Sequence, residues 1–313
     1  MSELITAGEP MVLLMAEDQG ELSRVKHFTR HIGGTDVNVS VGVARLGHSV
    51  TFLTQVGEDP FGEAIIDFLA KEKIDTSSVL TTKHAQTGFM LKSRVDNGHS
   101  NTFYFRKGSA SSQIEENSVD KINFTGAKFL YLGGILAGLS ESAYRTELAL
   151  IKRARHAALT IVFAPGLRPA IRNSDEETIH RTNEIAFLCD IVVLNVGKEK
   201  GKEEMADYFL KKGVKQVIIH LVNSGAYTKK KETDGGYSEV FVPGVAAEER
   251  GDRLSTGDGF LSGVISAKLE GLSDYDMLLR GNAIGALPMQ PIDDEELPTH
   301  EKLDALVKKA EMG

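Results

Sequence analysis

The chain has 313 residues, 41% of them hydrophobic and 26% charged, with a formal net charge of −8 at neutral pH. Such a composition suits a soluble three-layer α/β domain with a small appendage, and the acidic balance excludes nucleic-acid binding as the main activity. No apolar run is long enough for a membrane helix, Met1–Pro10 has no secretory pattern, and Cys189, in the apolar run 185–194, is the only cysteine, so a cytoplasmic protein without disulfides is expected.

Leu4–Thr6 and Val12–Met15 read as strands broken by Gly8-Glu9-Pro10, and the mixed stretch Glu21–Ile32 can cross into a second layer. After the turn His31–Asp36, Val37–Leu46 places small and apolar residues at helical spacing and stops at Gly47. Ser49–Gln55 reads as a strand, Gly57–Gly62 as a loop in which Pro60 suits a helix start, and Ala64–Lys73 as the next helix. Strand, helix, strand, helix in succession favours a parallel sheet with right-handed crossovers. The short alternating runs Gly88–Arg94 and Thr102–Arg106 break that rhythm as an inserted hairpin, a form suited to a flap or a subunit contact. The α/β order then resumes: strand Phe129–Leu132, helix Glu141–His156, strand Thr160–Phe163, helix Glu176–Leu188, strand Ile191–Leu194, helix Glu203–Lys212 and strand Gln216–His220. Leu221–Tyr227 reads as a turn and Thr233–Gly236 as a hairpin signal before Glu239–Val242, with closing helices around Met277–Leu287 and His300–Lys309.

The stretch Gly251–Leu272 organises the chemistry. A polar turn ending in Gly257-Asp258-Gly259 feeds a small-residue helix expected to start at Phe260. A helix N-terminus presents backbone N–H groups without intrahelical partners and the positive end of its dipole, which together favour an anion. A carboxylate at that place, Asp258, can serve as a base on a nucleophile beside a bound phosphate. Read locally, Ser255, Thr256 and Asp258 are equally good helix caps. Arg168, in the loop after the 160–163 strand, lies where ligands of open parallel sheets gather.

Several segments together resemble, in order along most of the chain, the ribokinase-like sugar kinases, and among these the 2-keto-3-deoxygluconate kinases. They are Gly8-Glu9-Pro10; Gly33-Gly34 with Asn38 and Ala44–Gly47; Val56–Gly62; Tyr104–Ala110; Leu167-Arg168-Pro169; Gly257–Phe260; Gly281–Leu287; and Leu297-Pro298-Thr299. The resemblance implies a single domain, residues 1–313, with a three-layer α/β/α core and a small β-sheet lid built from segments around 11–32 and 88–106. It implies ATP with Mg²⁺ as cofactors, Asp258 as the base with Gly257, Ser255 and Thr256 around the phosphates, and no metal ligand among the side chains. For the acceptor it implies Gly34, Asn38, Phe89, Tyr104, Arg106, Arg168 and Asp293. For the nucleotide it implies Asn195, His220, Gly225, Arg253, Gly257 and Asn282. The two arginines point to an acid sugar, because a guanidinium holds a carboxylate in a bidentate fork. A homodimer through the lid is expected, with no nucleic-acid or membrane partner.

Departures from the family pattern fall on the nucleotide half. The usual Gly-Ala-Gly-Asp reads Ser255-Thr256-Gly257-Asp258, and Ala164-Pro165-Gly166 stands where Asp-Pro-Asn is common. Lys198 occupies the place of the Glu expected three residues after Asn195, and one glycine of the nucleotide loop before Gly225 is missing. Alternatives therefore stay open: a kinase of a neutral ketose, or a non-catalytic sugar-acid-binding protein with a degenerate ATP site.

Overall fold

The computed structural model describes residues 1–94, 101–165, 176–196, 200–222, 224–245 and 256–287, with 301, 305 and 308 besides. In chain order the elements are β1 (Leu4–Ala7), β2 (Met11–Ala16), β3 (Phe28–Gly33), α1 (Thr35–Arg45), β4 (Val50–Gly57), α2 (Pro60–Lys71), β5 (Val79–Thr82), β6 (Phe89–Lys92), β7 (Thr102–Phe105), β8 (Phe129–Leu132), α3 (Glu141–His156) and β9 (Thr160–Phe163). There follow α4 (Glu176–Leu188), β10 (Ile191–Asn195), α5 (Lys202–Lys211), β11 (Gln216–His220), β12 (Gly225–Lys231), β13 (Tyr237–Pro243), α6 (Thr256–Leu269) and α7 (Asp274–Gly285). Short 3₁₀ turns at Ala110–Gln113, Glu116–Lys121 and Leu136–Gly138 complete the set.

Among the described residues two sheets form. The larger runs β13-β12-β11-β10-β9-β8-β1-β4-β5, parallel from β11 to β5 and antiparallel at the β11-β12-β13 end. Its inner strands, β1, β4 and β8 to β11, are buried on both faces, and successive side chains serve opposite layers. Leu4, Phe52, Val162 and Ile218 join one core cluster with residues of α1, α6 and α7. Their neighbours Ile5, Leu53, Ile161 and Ile219 join a second cluster with residues of α3, α4 and α5. Cys189 belongs to that second cluster, its Sγ 3.0 Å from the Ile185 carbonyl oxygen. The smaller sheet, β3-β2-β6-β7, draws its strands from residues 11–33 and 89–105.

Most expected elements fall within a few residues of those observed. Asp59 caps α2, accepting from Phe61 and Gly62 N–H, with Pro60 in the first turn. Three expectations need correcting. β5 was not anticipated, being four residues long and paired on one side to β4. β12 begins inside the expected 221–227 turn, because Gly225 at φ 122° lets the chain leave that turn directly into the ladder. β12 lies between β11 and β13 in spite of its lysines, of which Lys229 pairs with Asp207 and Glu239. Finally, α6 is helical from Thr256 rather than Phe260. Gly257 and Gly259 weaken local helix preference, but nearly all residues of α6 from Asp258 onward are buried, so packing decides. Of the expected 300–309 helix, residues 301, 305 and 308 are helical and the rest lies outside the described residues.

Candidate active site

The order of the larger sheet reverses at β1. Chain order runs from β1 through β4 to β5 on one side, and from β8 outward to β13 on the other. In open α/β sheets the ligand crevice lies outside the carboxyl ends of the strands at such a switch point. Gly8 follows β1 there and Gly133 follows β8. The Asp36 carboxyl group lies against both glycines, so closely that a Cβ at either would collide with it. Asp36 belongs to the first turn of α1, which opens at Gly34 with φ 132°. A Cβ on Gly34 would also come 2.8 Å from the Glu9 carbonyl oxygen. Both facts require glycine at that position.

Asp258 reaches the same crevice from the first turn of α6 and is only 6% exposed. Asn38 of α1 donates Nδ2–H to Asp258 Oδ2 at 2.7 Å, joining residues 220 positions apart. The close passage of α1 against α6 makes that bond possible. Ser262 Oγ occupies the space a Cβ on Gly42 would need, and it donates to the Asp258 carbonyl oxygen at 2.8 Å. A carboxylate fixed by an amide donor at a helix N-terminus can take a proton from a hydroxyl beside an anion.

Behind Asp258 stands a buried acid group that the sequence reading missed. Asp36 is 2% exposed. Burial first, and the Asp258 charge second, push its carboxyl up to about 7, against the opposing pull of the Tyr131 hydroxyl and the Arg106 charge. Glu147 of α3 is fully buried, and desolvation with the Asp36 charge raises it to about 8. Tyr131 sits between these acids, its phenol pushed well above its ordinary value by burial and by their charges.

The small sheet supplies a second group. Phe89 of β6 stacks on Phe105 of β7 with centroids 4.6 Å apart, and meets Phe61 at 5.7 Å with the ring planes tilted by 59°. Tyr104 is partly exposed, with the Arg106 guanidinium 5.9 Å from its ring centre. Arg106 forms an ion pair with buried Glu9, whose other oxygen accepts from Ser109 Oγ.

A family profile described as pfkB family carbohydrate kinase matches residues 1–294. The chain belongs to the pfkB family of carbohydrate kinases. A 2-dehydro-3-deoxygluconokinase from Bacillus subtilis is 37% identical over 96% of this chain and 94% of its own length. A probable chloroplastic fructokinase of Arabidopsis thaliana is 25% identical over 98% of this chain and 83% of its own. The crystal structure of a PfkB protein from Polaromonas superposes with a TM-score of 0.84 at 30% identity, covering 97% of this chain and all of that one. The kinase therefore has the ribokinase-like fold expected from the sequence, and it is an ATP-dependent sugar kinase.

The kinase brings together part of the residue set expected on the nucleotide side. Asn195, at the carboxyl end of β10, lies against Gly257, leaving no room for a side chain there. His220 ends β11 but is turned into the core, stacked on Phe260 with centroids 4.2 Å apart and planes 6° from parallel. Burial lowers its imidazole to about 4, so it is neutral near pH 7. Gly225 packs against the Val242 carbonyl oxygen in the β12-β13 pair. Asn282 donates Nδ2–H to the Val242 and Pro243 carbonyl oxygens at 3.1 and 3.0 Å, tying α7 to the end of β13. Thr256 opens α6. Arg168, Arg253, Ser255 and Asp293 lie outside the described residues.

Two groups in the crevice of the kinase were absent from the expected set. Asp36 carried a weak signal, an acid two residues after Gly33-Gly34 at the head of a small-residue helix. Glu9 stood in plain view within Gly8-Glu9-Pro10, but its carboxylate meets Arg106 across 97 residues of chain, which no local pattern reveals.

Proposed function

We propose that this kinase transfers the γ-phosphoryl group of ATP to a hydroxyl of 2-keto-3-deoxygluconate, with Asp258 as general base. The observation that carries the proposal is the buried Asp258 carboxylate, held by Asn38 at the N-terminus of α6. In the reaction the acceptor oxygen bonds to the γ-phosphorus as the bond to the β,γ-bridging oxygen breaks. The hydroxyl proton passes to Asp258, and ADP leaves with the electron pair of the bridging oxygen. N–H groups in the first turn of α6, around Gly257, are suited to the charge that spreads over the phosphoryl oxygens. Among the described residues no group of three or more His, Cys, Asp or Glu could hold a metal ion. Bound with ATP, Mg²⁺ would supply neutralisation of the phosphate charge.

The acid sugar is favoured by Arg106 at the rim of the crevice and by the name of the Bacillus subtilis relative. In the same reading the small sheet acts as a lid over the acceptor. Phe103 and Phe105, 56% and 50% exposed on its edge strand, provide the contact for a second copy. A second reading, phosphorylation of a neutral ketose, is supported by the fructokinase relative and by Arg106 already having Glu9 as counter-ion. Coupled ADP-release assays over a panel of sugars separate the two. The proposal predicts kcat/KM for 2-keto-3-deoxygluconate at least 100-fold above that for fructose, and a preference for fructose would reverse it.

A further inference from the structure

Four stretches of chain pass between the large and small sheets: Gly8–Pro10 from β1 to β2, Gly34 from β3 to α1, Lys83–Gly88 from β5 to β6, and Arg106–Ser109 beyond β7. Glu9 touches all of the other three. Its carbonyl oxygen packs against Gly34, where a Cβ would approach to 2.8 Å. One carboxylate oxygen lies 2.9 Å from where a Cβ on Gly88 would stand, and the same oxygen accepts from Ser109 Oγ. The other oxygen pairs with Arg106. The Glu9 side chain is fully buried while Arg106 remains 22% exposed. The charged head of Arg106 is therefore anchored from the inside, with Tyr104 beside it.

We propose that Glu9 is a positioning residue for substrate recognition: it anchors the Arg106 guanidinium at the joint between the two sheets, so that Arg106 meets the carboxylate of an acid sugar in one fixed orientation. The inference rests on the acid-sugar reading above. A guanidinium has two usable edges and five N–H donors, so it can serve an inner carboxylate and an outer one together. Pre-setting its orientation reduces the side-chain freedom lost when the sugar binds, which strengthens binding without adding a contact. Gly88 and Gly34 leave the space Glu9 needs to reach all three neighbouring crossings.

The test is a double-mutant cycle on Glu9→Gln and Arg106→Ala, read as KM and kcat with 2-keto-3-deoxygluconate and saturating ATP. Glu9→Gln keeps the shape and removes the charge. The expected result is a KM raised about tenfold with kcat within threefold of wild type. In the Arg106→Ala background, Glu9→Gln should change KM by less than twofold further, because the group it positions is already gone. A purely structural Glu9 gives the same further loss in both backgrounds, and that outcome overturns the proposal. Should Glu9→Gln not fold, Ser109→Ala keeps the charge and frees one carboxylate oxygen. It should raise KM two- to fivefold in the wild-type background and leave it unchanged beside Arg106→Ala, and an equal change in both overturns the proposal. Failure of the underlying reading looks different: Arg106→Ala alone then leaves KM for the acid sugar at its wild-type value.

Discussion

Replacing Asp36 with Asn keeps the shape of its buried side chain and removes the capacity to ionise. An ordinary aspartate in the unfolded chain titrates near 3.8, whereas Asp36 in the folded protein is pushed up to about 7. Between those values the folded state binds a proton that the unfolded state has released, so stability falls as pH rises through this window. The gap of about three pH units, at about 1.4 kcal/mol each, corresponds to about 4 kcal/mol of destabilisation from Asp36 near and above pH 7. Below pH 4 both states are protonated and the contribution vanishes. Asp36→Asn should therefore be more stable than wild type at pH 8, by about 2–4 kcal/mol once imperfect hydrogen bonding of the amide is allowed for. The two proteins should converge near pH 4. Glu147 steepens the pH dependence of both, since it is raised to about 8, and it should titrate lower in the variant because the Asp36 charge is among its causes. Urea unfolding followed by circular dichroism at pH 4.5, 6 and 8 measures the difference directly. Equal pH slopes in the two proteins, or a variant less stable at pH 8, would refute the placement of Asp36 as a buried acid beside Asp258.

Three further outcomes follow from the same geometry. Asn38→Ala removes the amide donor from Asp258, a charge-assisted bond of about 1.5–3 kcal/mol, and should lower kcat by roughly 10- to 100-fold in steady-state assays. Gly42→Ala forces a methyl group against Ser262 and separates α1 from α6, which should lower thermal stability by about 1–3 kcal/mol and kcat with it. His220→Phe preserves the stack on Phe260 and should leave KM for ATP within about twofold. A tenfold rise there would mean that the imidazole meets the nucleotide.

The large sheet was legible because its strands are short, apolar and separated by well-signalled helices, as at Phe129–Leu132, Glu141–His156 and Thr160–Phe163. What escaped was decided by packing at a distance. The start of α6 depends on burial that overrides two glycines, and β12 depends on pairing with β11 and β13 despite its run of lysines. In the crevice, Asn38 and Asp258 are both expected from the family resemblance, and the structure joins them by one hydrogen bond. His220 and Asn282 are expected on the nucleotide side, and their side chains are engaged in the stack on Phe260 and the tie to β13. Asp36 and Glu9 were invisible as site groups because their meaning comes from Asp258 and Arg106, residues far away in sequence.

The most direct measurement is steady-state ADP release with 2-keto-3-deoxygluconate and Mg-ATP, comparing wild type with Asp258→Asn. A general base contributes on the order of 10²–10⁴-fold, so the variant should lose kcat by about that factor while its KM values for both substrates stay within a few-fold. Turnover within tenfold of wild type would contradict the role given to Asp258.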